Sequence, residues 1–381
     1  MKTVFFGPFI GEFGWEVLYW SAWVNKLCKS EFKDYKVIVA STHGRKLFYP
    51  MADEFWELPD WFTNLNYVHN GYISDGWAAG LPKGNYSETK KIFGIIEREV
   101  WKFTESRHKN FRDQAYDLLE YFKQKLPKDT KIVCPFRLNE FLGVKFGVEV
   151  IGSDPPSIIQ TRMSLEEQSF FNFQATPSAN VDRIVKLLDG KSVISVFPRY
   201  RKERRPDKNW SQTNYEELIK LLLENFPNSK VAVCGAPGGA YFEDGCPEGV
   251  IDLINLDDDE RANIQAAVLQ KSKFAVGGLS GAMFFAHYCG VPILSWALER
   301  DRYRYFDELR LDIPAYFLPT KDPAVPHVFK IINDHLNEIT NIRAPYNDWF
   351  SEAYLRNGDG LSKSPLDQLK RLMQSVFYSK N

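Results

Sequence analysis

The run PRYRKERRPDKNW, Pro198 to Trp210, places Arg199, Arg201, Lys202, Arg204, Arg205 and Lys208 within ten residues. Guanidinium groups match phosphate oxygens two hydrogen bonds at a time, so such a loop can neutralise a diphosphate if the fold holds it still. The competing reading is a solvated surface loop, which most runs of charge are. A second stretch, VGGLSGAMFFAHYCGVP at Val276 to Pro292, carries Gly277, Gly278 and Gly281. A tight turn there would set the amides of Ser280, Gly281 and Ala282 at a helix N-terminus, where partial positive charge favours phosphate. The alternative is an ordinary strand-to-helix turn with a serine cap. CGAPGG, Cys234 to Gly239, adds Gly235 as a third glycine-bearing strand end. Joined, the three are more specific than any one alone.

Carboxylates gather elsewhere. In VFFGPFIGEFGWEVLYWSAW, Val4 to Trp23, Glu12 and Glu16 follow an apolar strand-like run. Four residues apart, they share one helical face, where acidic side chains also serve as plain complements to the macrodipole. The rings Phe13, Trp15, Tyr19, Trp20 and Trp23 read mostly as core. His43, in STHGRK, falls after the second strand, and Arg137 and Arg162 fall in loops of the first half; each has a surface role as its competing account. Glu299 or Asp301, after the last clear strand, could accept hydrogen bonds from a ribose or pair with neighbouring arginines. None of the six histidines pairs with another at metal-ligand spacing, and DDDE at Asp257 to Glu260 reads as a helix N-cap cluster, so no metal is expected.

These residues need a scaffold with several parallel strand ends. Thr3 to Phe6, Tyr35 to Ala40 and Lys131 to Phe136 read as strands, with helices over Trp15 to Cys28, Thr89 to Phe103 and Phe111 to Leu126. A second alternating series follows: strands at Ser192 to Phe197, Lys230 to Gly235, Val250 to Ile254, Lys273 to Gly278 and Val291 to Trp296. Its helices run over Tyr215 to Phe226, Asp259 to Lys271 and from about Ala282. Regularity weakens between Gly143 and Ser178. The pattern predicts an α/β chain with two Rossmann-like, parallel-stranded domains facing across a cleft, which bind ligands at their strands' carboxyl ends.

Composition fits that reading. At 381 residues the chain suits two domains. Lysine plus arginine total 48 against 49 acidic residues, a net charge of −1, which gives no general attraction to nucleic acid. Five scattered cysteines without CxxC spacing suggest buried thiols rather than disulfides or zinc. With neither a signal-peptide pattern nor a membrane-length apolar run, the expectation is a cytoplasmic protein, with peripheral membrane contact left open.

FPRYRKERRPDKNW, then a helix and VAVCGAPGG, then GGLSGAMFFAHYCGVPIL, resembles the carboxyl-terminal donor domain of GT-B glycosyltransferases, especially the heptosyltransferase-like group. That group carries a D-[ST]-G turn, a helix and G-x-P; Leu279-Ser280-Gly281 and Gly290-Val291-Pro292 hold those places, with leucine for the aspartate. The basic loop is also similar to that of GT-B fucosyltransferases. The resemblance implies a domain over residues 1–180 that takes the acceptor and a donor domain over 181–345. It further implies a helical segment over 346–381 that crosses back to the first domain. A Gly-Asp pair follows the first strand in that group, and Gly11-Glu12 stands there, which makes Glu12 the candidate base and Glu16 its helper. Arg199, Lys202, Arg204, Arg205, Gly235, Gly278, Ser280, Gly281, Ala282 and Glu299 become donor-side candidates. Gly11, His43, Arg137 and Arg162 become acceptor-side ones. The implied activity is inverting, metal-independent sugar transfer from a nucleotide-sugar to a glycan or lipid-linked hydroxyl, with the nucleotide-sugar as substrate and no cofactor. The rivals are a nucleotide-sugar epimerase and a two-lobed binder of an anion.

Overall fold

The structure is a computed structural model that describes residues 2–10, 13–63, 117–133, 170–202, 206–298 and 313–338. The chain divides into two compact units, Met1–Asn337 and Glu338–Asn381. The first unit contains two separate parallel sheets, each forming one lobe. The expected helices at 89–103 and 346–381 lie outside the described residues.

The first lobe begins with β1 (Thr3–Phe6), whose four side chains are all buried. Helix α1 follows in three consecutive pieces: Phe13–Trp15, a π-helical stretch Glu16–Trp20, and Ser21–Lys29. Then come β2 (Lys36–Ser41), a 3₁₀ turn at Lys46–Phe48, β3 (Glu54–Glu57), α2 (Asp60–Thr63), α3 over 117–125 and β4 (Lys131–Val133). The strand order is β3-β2-β1-β4, with Phe5 beside Ile38 on one side and Ile132 on the other. A strand paired on both edges and covered on both faces reads as a near-continuous apolar run, as Val4, Phe5 and Phe6 do here.

The second lobe opens on α4 (Ala179–Leu187), whose N-cap Ser178 accepts a hydrogen bond from the Val181 amide at 3.2 Å. It continues through β5 (Ser192–Phe197), a 3₁₀ turn Pro206–Lys208, α5 (Gln212–Asn225), β6 (Ser229–Cys234) and β7 (Ile251–Leu253). After α6 (Asp258–Leu269) come β8 (Ser272–Gly278), α7 (Gly281–Tyr288), β9 (Ile293–Trp296), β10 (Ala315–Leu318) and α8 (Val325–Glu338). The order is β7-β6-β5-β8-β9-β10, all parallel.

The expected α/β class is present, as are the second alternating series and those parts of the first that fall on described residues. β3 was not anticipated: EFWE, an edge strand with two exposed or half-buried glutamates, has no apolar run to mark it. α4, β10 and α8 were likewise unread. Asp257 stands at the N-cap of α6 but makes no side-chain cap bond; its carbonyl, not its carboxylate, takes the Glu260 and Arg261 amides. Cys28, Cys234, Cys246 and Cys289 are free thiols, and only Cys234 and Cys289 of these are fully buried. No helix among the described residues is long and apolar enough to cross a membrane.

In the second lobe's core, Trp210, Tyr215 and Trp296 meet at ring distances of 4.7 to 6.1 Å, and the Trp210 indole donates to the Pro323 carbonyl at 3.0 Å. His287 of α7 is fully buried, and neither ring nitrogen has a hydrogen-bond partner among the described residues. Burial pushes its imidazole down to about 3. The unfolded chain therefore takes up a proton that the folded one refuses, so this stability is complete above about pH 6.5 and is lost as pH falls toward 3. About 2 kcal/mol should disappear between pH 7 and pH 5 from this group. His287→Leu, which leaves no buried polar atom, should flatten the acid limb of a melting-temperature profile between pH 4 and 8, and an unaltered limb would exclude His287 as its source.

Candidate functional site

Strand order reverses between β5 and β8, which are hydrogen-bonded neighbours although two strands lie between them in the chain. In an open parallel sheet the connections leave such a pair in opposite directions and open a crevice at its carboxyl end. The pairing Phe197↔Gly277 marks that end. Arg199 stands directly above it. One of its guanidinium nitrogens donates to Asn209 Oδ1, which also accepts from the Arg201 amide at 3.0 Å. Asn209 Nδ2 returns a bond to the Arg201 carbonyl at 2.8 Å. One amide side chain thus fastens both ends of the Arg199–Arg201 segment.

Gly278 forms the floor. A Cβ there would lie 3.2 Å from the Lys208 carbonyl oxygen, 3.7 Å from the Tyr215 hydroxyl and 3.8 Å from Arg199 Cδ. The Gly278 amide donates to the Tyr215 hydroxyl at 3.3 Å, and burial raises that phenol's pKa. Lys208, only 8% exposed, meets this floor through its backbone carbonyl. The arrangement sets the Arg199 side chain beside a side-chain-free backbone, which suits recognition of an anion.

Helix α7 starts at Gly281, as the glycine turn suggested, with Ala282 half-buried in its first turn. Ser280 occupies the N-cap without a side-chain cap bond; its carbonyl accepts the Met283 amide at 3.1 Å. Gly281 is confined from an unexpected direction. A Cβ on it would lie 2.5 Å from Gly14 Cα and 2.7 Å from Gly14 N, closer than atoms can approach. The lobes therefore touch backbone to backbone here. Phe13 and Phe48 from the first lobe flank the contact, meeting Phe285 of α7 at 5.5 and 5.6 Å.

Glu16, 0% exposed, accepts from the Tyr49 hydroxyl at 2.6 Å, from the Ser41 hydroxyl and from the Arg45 guanidinium. Arg45 also lies 5.2 Å from the Phe13 ring centroid. Burial, then the adjacent carboxylate, holds the Tyr49 phenol well above its usual range. The carboxylate thus ties α1 to the loop that leaves β2.

His43 is engaged as well, with Nδ1 2.8 Å from Glu57 Oε2 and 3.7 Å from Asp259 Oδ1, and Nε2 3.6 Å from Asp60 Oδ1. Asp259 belongs to α6, so this group also bridges the lobes. The Gly235 carbonyl accepts from Gln265 Nε2 at 2.6 Å, and the Gly238 amide donates to Glu243, which spends that turn's polar groups internally. Lys202 is exposed. Gly11, Glu12, Arg137, Arg162, Arg204, Arg205 and Glu299 lie outside the described residues. Asn209 and Tyr215 were missed from sequence because a lone amide or phenol carries no spacing signal; Arg45, two residues after His43, was overlooked for the same reason. No group of metal-ligating side chains that could hold an ion occurs among the described residues.

No protein-family model matches the chain, and no curated protein matches it. Among solved structures it is similar to a glycosyl transferase family 9 protein from Veillonella parvula, at 12% identity and a TM-score of 0.47, over 89% of each chain. It is similar to E. coli ADP-heptose lps heptosyltransferase II at 13% identity and a TM-score of 0.46, over 90% of this chain and 100% of that one. A putative UDP-N-acetylglucosamine 2-epimerase from Listeria monocytogenes gives 12% identity and a TM-score of 0.37, over 93% and 94%.

Removing one partner of a buried, bonded charge pair costs about 3 to 5 kcal/mol. Glu16→Ala should therefore lower unfolding free energy in urea by that order. Glu16→Gln retains a carbonyl acceptor for Ser41 and Tyr49 but loses the charge facing Arg45, so it should lie between Ala and wild type. Stability unchanged in both variants would remove the bracing role assigned to this carboxylate.

Proposed function

We propose that the protein is a glycosyltransferase that moves a sugar from a nucleotide-sugar to a hydroxyl of a glycan or lipid-linked acceptor. The observation that carries the reading is the β5/β8 crevice, where the Arg199 side chain lies against Gly278 and is clamped by Asn209. A cation held at a switch point suits a diphosphate leaving group, whose charge grows as the glycosidic bond breaks. In this reading Arg199 stabilises that charge. Lys202, Arg204 and Arg205 extend the basic loop, and neutralisation by side chains makes a divalent ion unnecessary.

The acceptor side is assigned to the first lobe. Glu12 precedes Gly14 by two residues, and Gly14 touches Gly281. The Glu12 carboxylate takes the proton from the acceptor hydroxyl as its oxygen bonds to the anomeric carbon; the bond to the diphosphate breaks, and the nucleoside diphosphate leaves with inversion. Glu16, already occupied by three donors, acts by holding α1 in place. Gly11, His43, Arg137 and Arg162 remain the candidates for acceptor contact, and Glu299 for the ribose.

Arg199→Ala should weaken nucleoside diphosphate binding about ten- to a hundredfold, as expected for loss of a charge-assisted contact. Calorimetric affinity equal to wild type would remove Arg199 from the donor site. Turnover with excess EDTA should match turnover without it, and loss restored by magnesium or manganese would overturn metal independence. Glu12→Gln should lower kcat about a hundredfold or more with donor affinity and melting temperature little changed. Near-normal kcat would place the base elsewhere.

A further inference from the structure

Among the described residues, the exposed large hydrophobic side chains are Trp61, Leu187 and Tyr200. Tyr200 alone of these borders the crevice, as the residue after Arg199. Its amide donates to the Gly239 carbonyl at 3.0 Å, and the Tyr241 amide donates to the Pro198 carbonyl at 2.8 Å, on either side of the Arg199↔Ala240 bridge. This two-stranded clasp joins the chain leaving β5 to the chain leaving β6. It stacks the Tyr200 ring on Tyr241 with centroids 4.7 Å apart and planes tilted by 35°, and Tyr241 rests in turn 6.1 Å from the buried Tyr215 ring. The Arg201 guanidinium lies over Gly239, 3.8 Å from where a Cβ would be. An exposed ring backed by two others has one use for its free surface that solvent does not supply, contact with a second flat apolar face.

The sheet gives the site a direction. Gly281, after β8, touches the first lobe, while Tyr241, after β6, lies two strand spacings away, about 10 Å across the sheet. A donor with its diphosphate at Arg199 and its sugar toward the first lobe must extend its nucleoside the other way, over β5 and β6. We propose that Tyr200, supported by Tyr241, is a stacking platform for the donor's nucleobase. The inference rests on the glycosyltransferase reading and adds the base-binding surface to it. Stacking uses the π-face that every base has, so the platform favours purines over pyrimidines by ring area and selects no base by hydrogen bonding.

Calorimetric titration of the full chain with ADP, UDP and inorganic pyrophosphate tests this. Tyr200→Ala should weaken ADP binding about tenfold and UDP binding less, and leave pyrophosphate unchanged, while Tyr200→Phe retains wild-type ADP affinity. Arg199→Ala should weaken all three. Two results would overturn the platform and leave the transferase reading standing: ADP affinity unaltered in Tyr200→Ala while Arg199→Ala loses it, or equal losses for ADP and pyrophosphate in Tyr200→Ala. Wild-type protein that binds none of the three would overturn both.

Discussion

The parallel ladder between β5 and β8 is the contact on which the second lobe's chemistry depends. It joins strands separated in sequence by β6 and β7, so the loops that leave its two members must diverge. The gap between them is a property of topology and needs no special residue to open it. What residues do is line it. Gly278 keeps the floor low enough for Arg199 to lie across it, Tyr215 takes the Gly278 amide from below, and Asn209 prevents the arginine segment from swinging into solvent. A long flexible cation gains recognition value when its rotamer freedom has been removed beforehand, and here the protein's own amide removes it.

The first lobe is braced by the opposite charge. Glu16 sits in the π-helical part of α1, and its three donors come from the end of β2 and the loop beyond. This carboxylate is costly to bury and tolerable only because every donor converges on it. Its position fixes the helix whose first turn presents Gly14 to Gly281. A buried ion network in one lobe and a glycine pair at the seam are thus parts of one arrangement: the first sets the height of α1, and the second lets α7 approach it.

The scaffold was largely legible in the sequence, and the site only in part. Strands such as SVISVF and KVIVAS are mostly apolar and almost wholly buried because both faces are covered, and pattern alone finds them. EFWE escaped because an edge strand is half wet and need not be apolar. The basic run and the glycine turn were visible as types in a row. Asn209 was not, because its importance lies in bonding residues eight and ten positions back, and nothing in spacing marks a clamp of that kind. Gly281 could be read as a helix-start glycine, but its neighbour Gly14 lies 267 positions earlier, and no local rule connects them.

The connecting segment before α4 carries a mechanical consequence. The Phe173 amide donates to the Tyr288 carbonyl at 2.7 Å, the Thr176 amide to Asn263 Oδ1 at 2.7 Å, and Gln270 Nε2 to the Phe173 carbonyl at 3.2 Å. The strap is therefore riveted to α6 and α7 and belongs to the second lobe as cargo. Among the described residues it meets the first lobe through a ring contact, Phe48 to Phe173 at 4.7 Å, which slides more easily than a hydrogen bond breaks. A torque between the lobes would therefore leave the strap's own hydrogen bonds unloaded. Phe173 would act as the bearing surface, and the approach of His43 to Asp259 at 3.7 Å is a second link between the lobes.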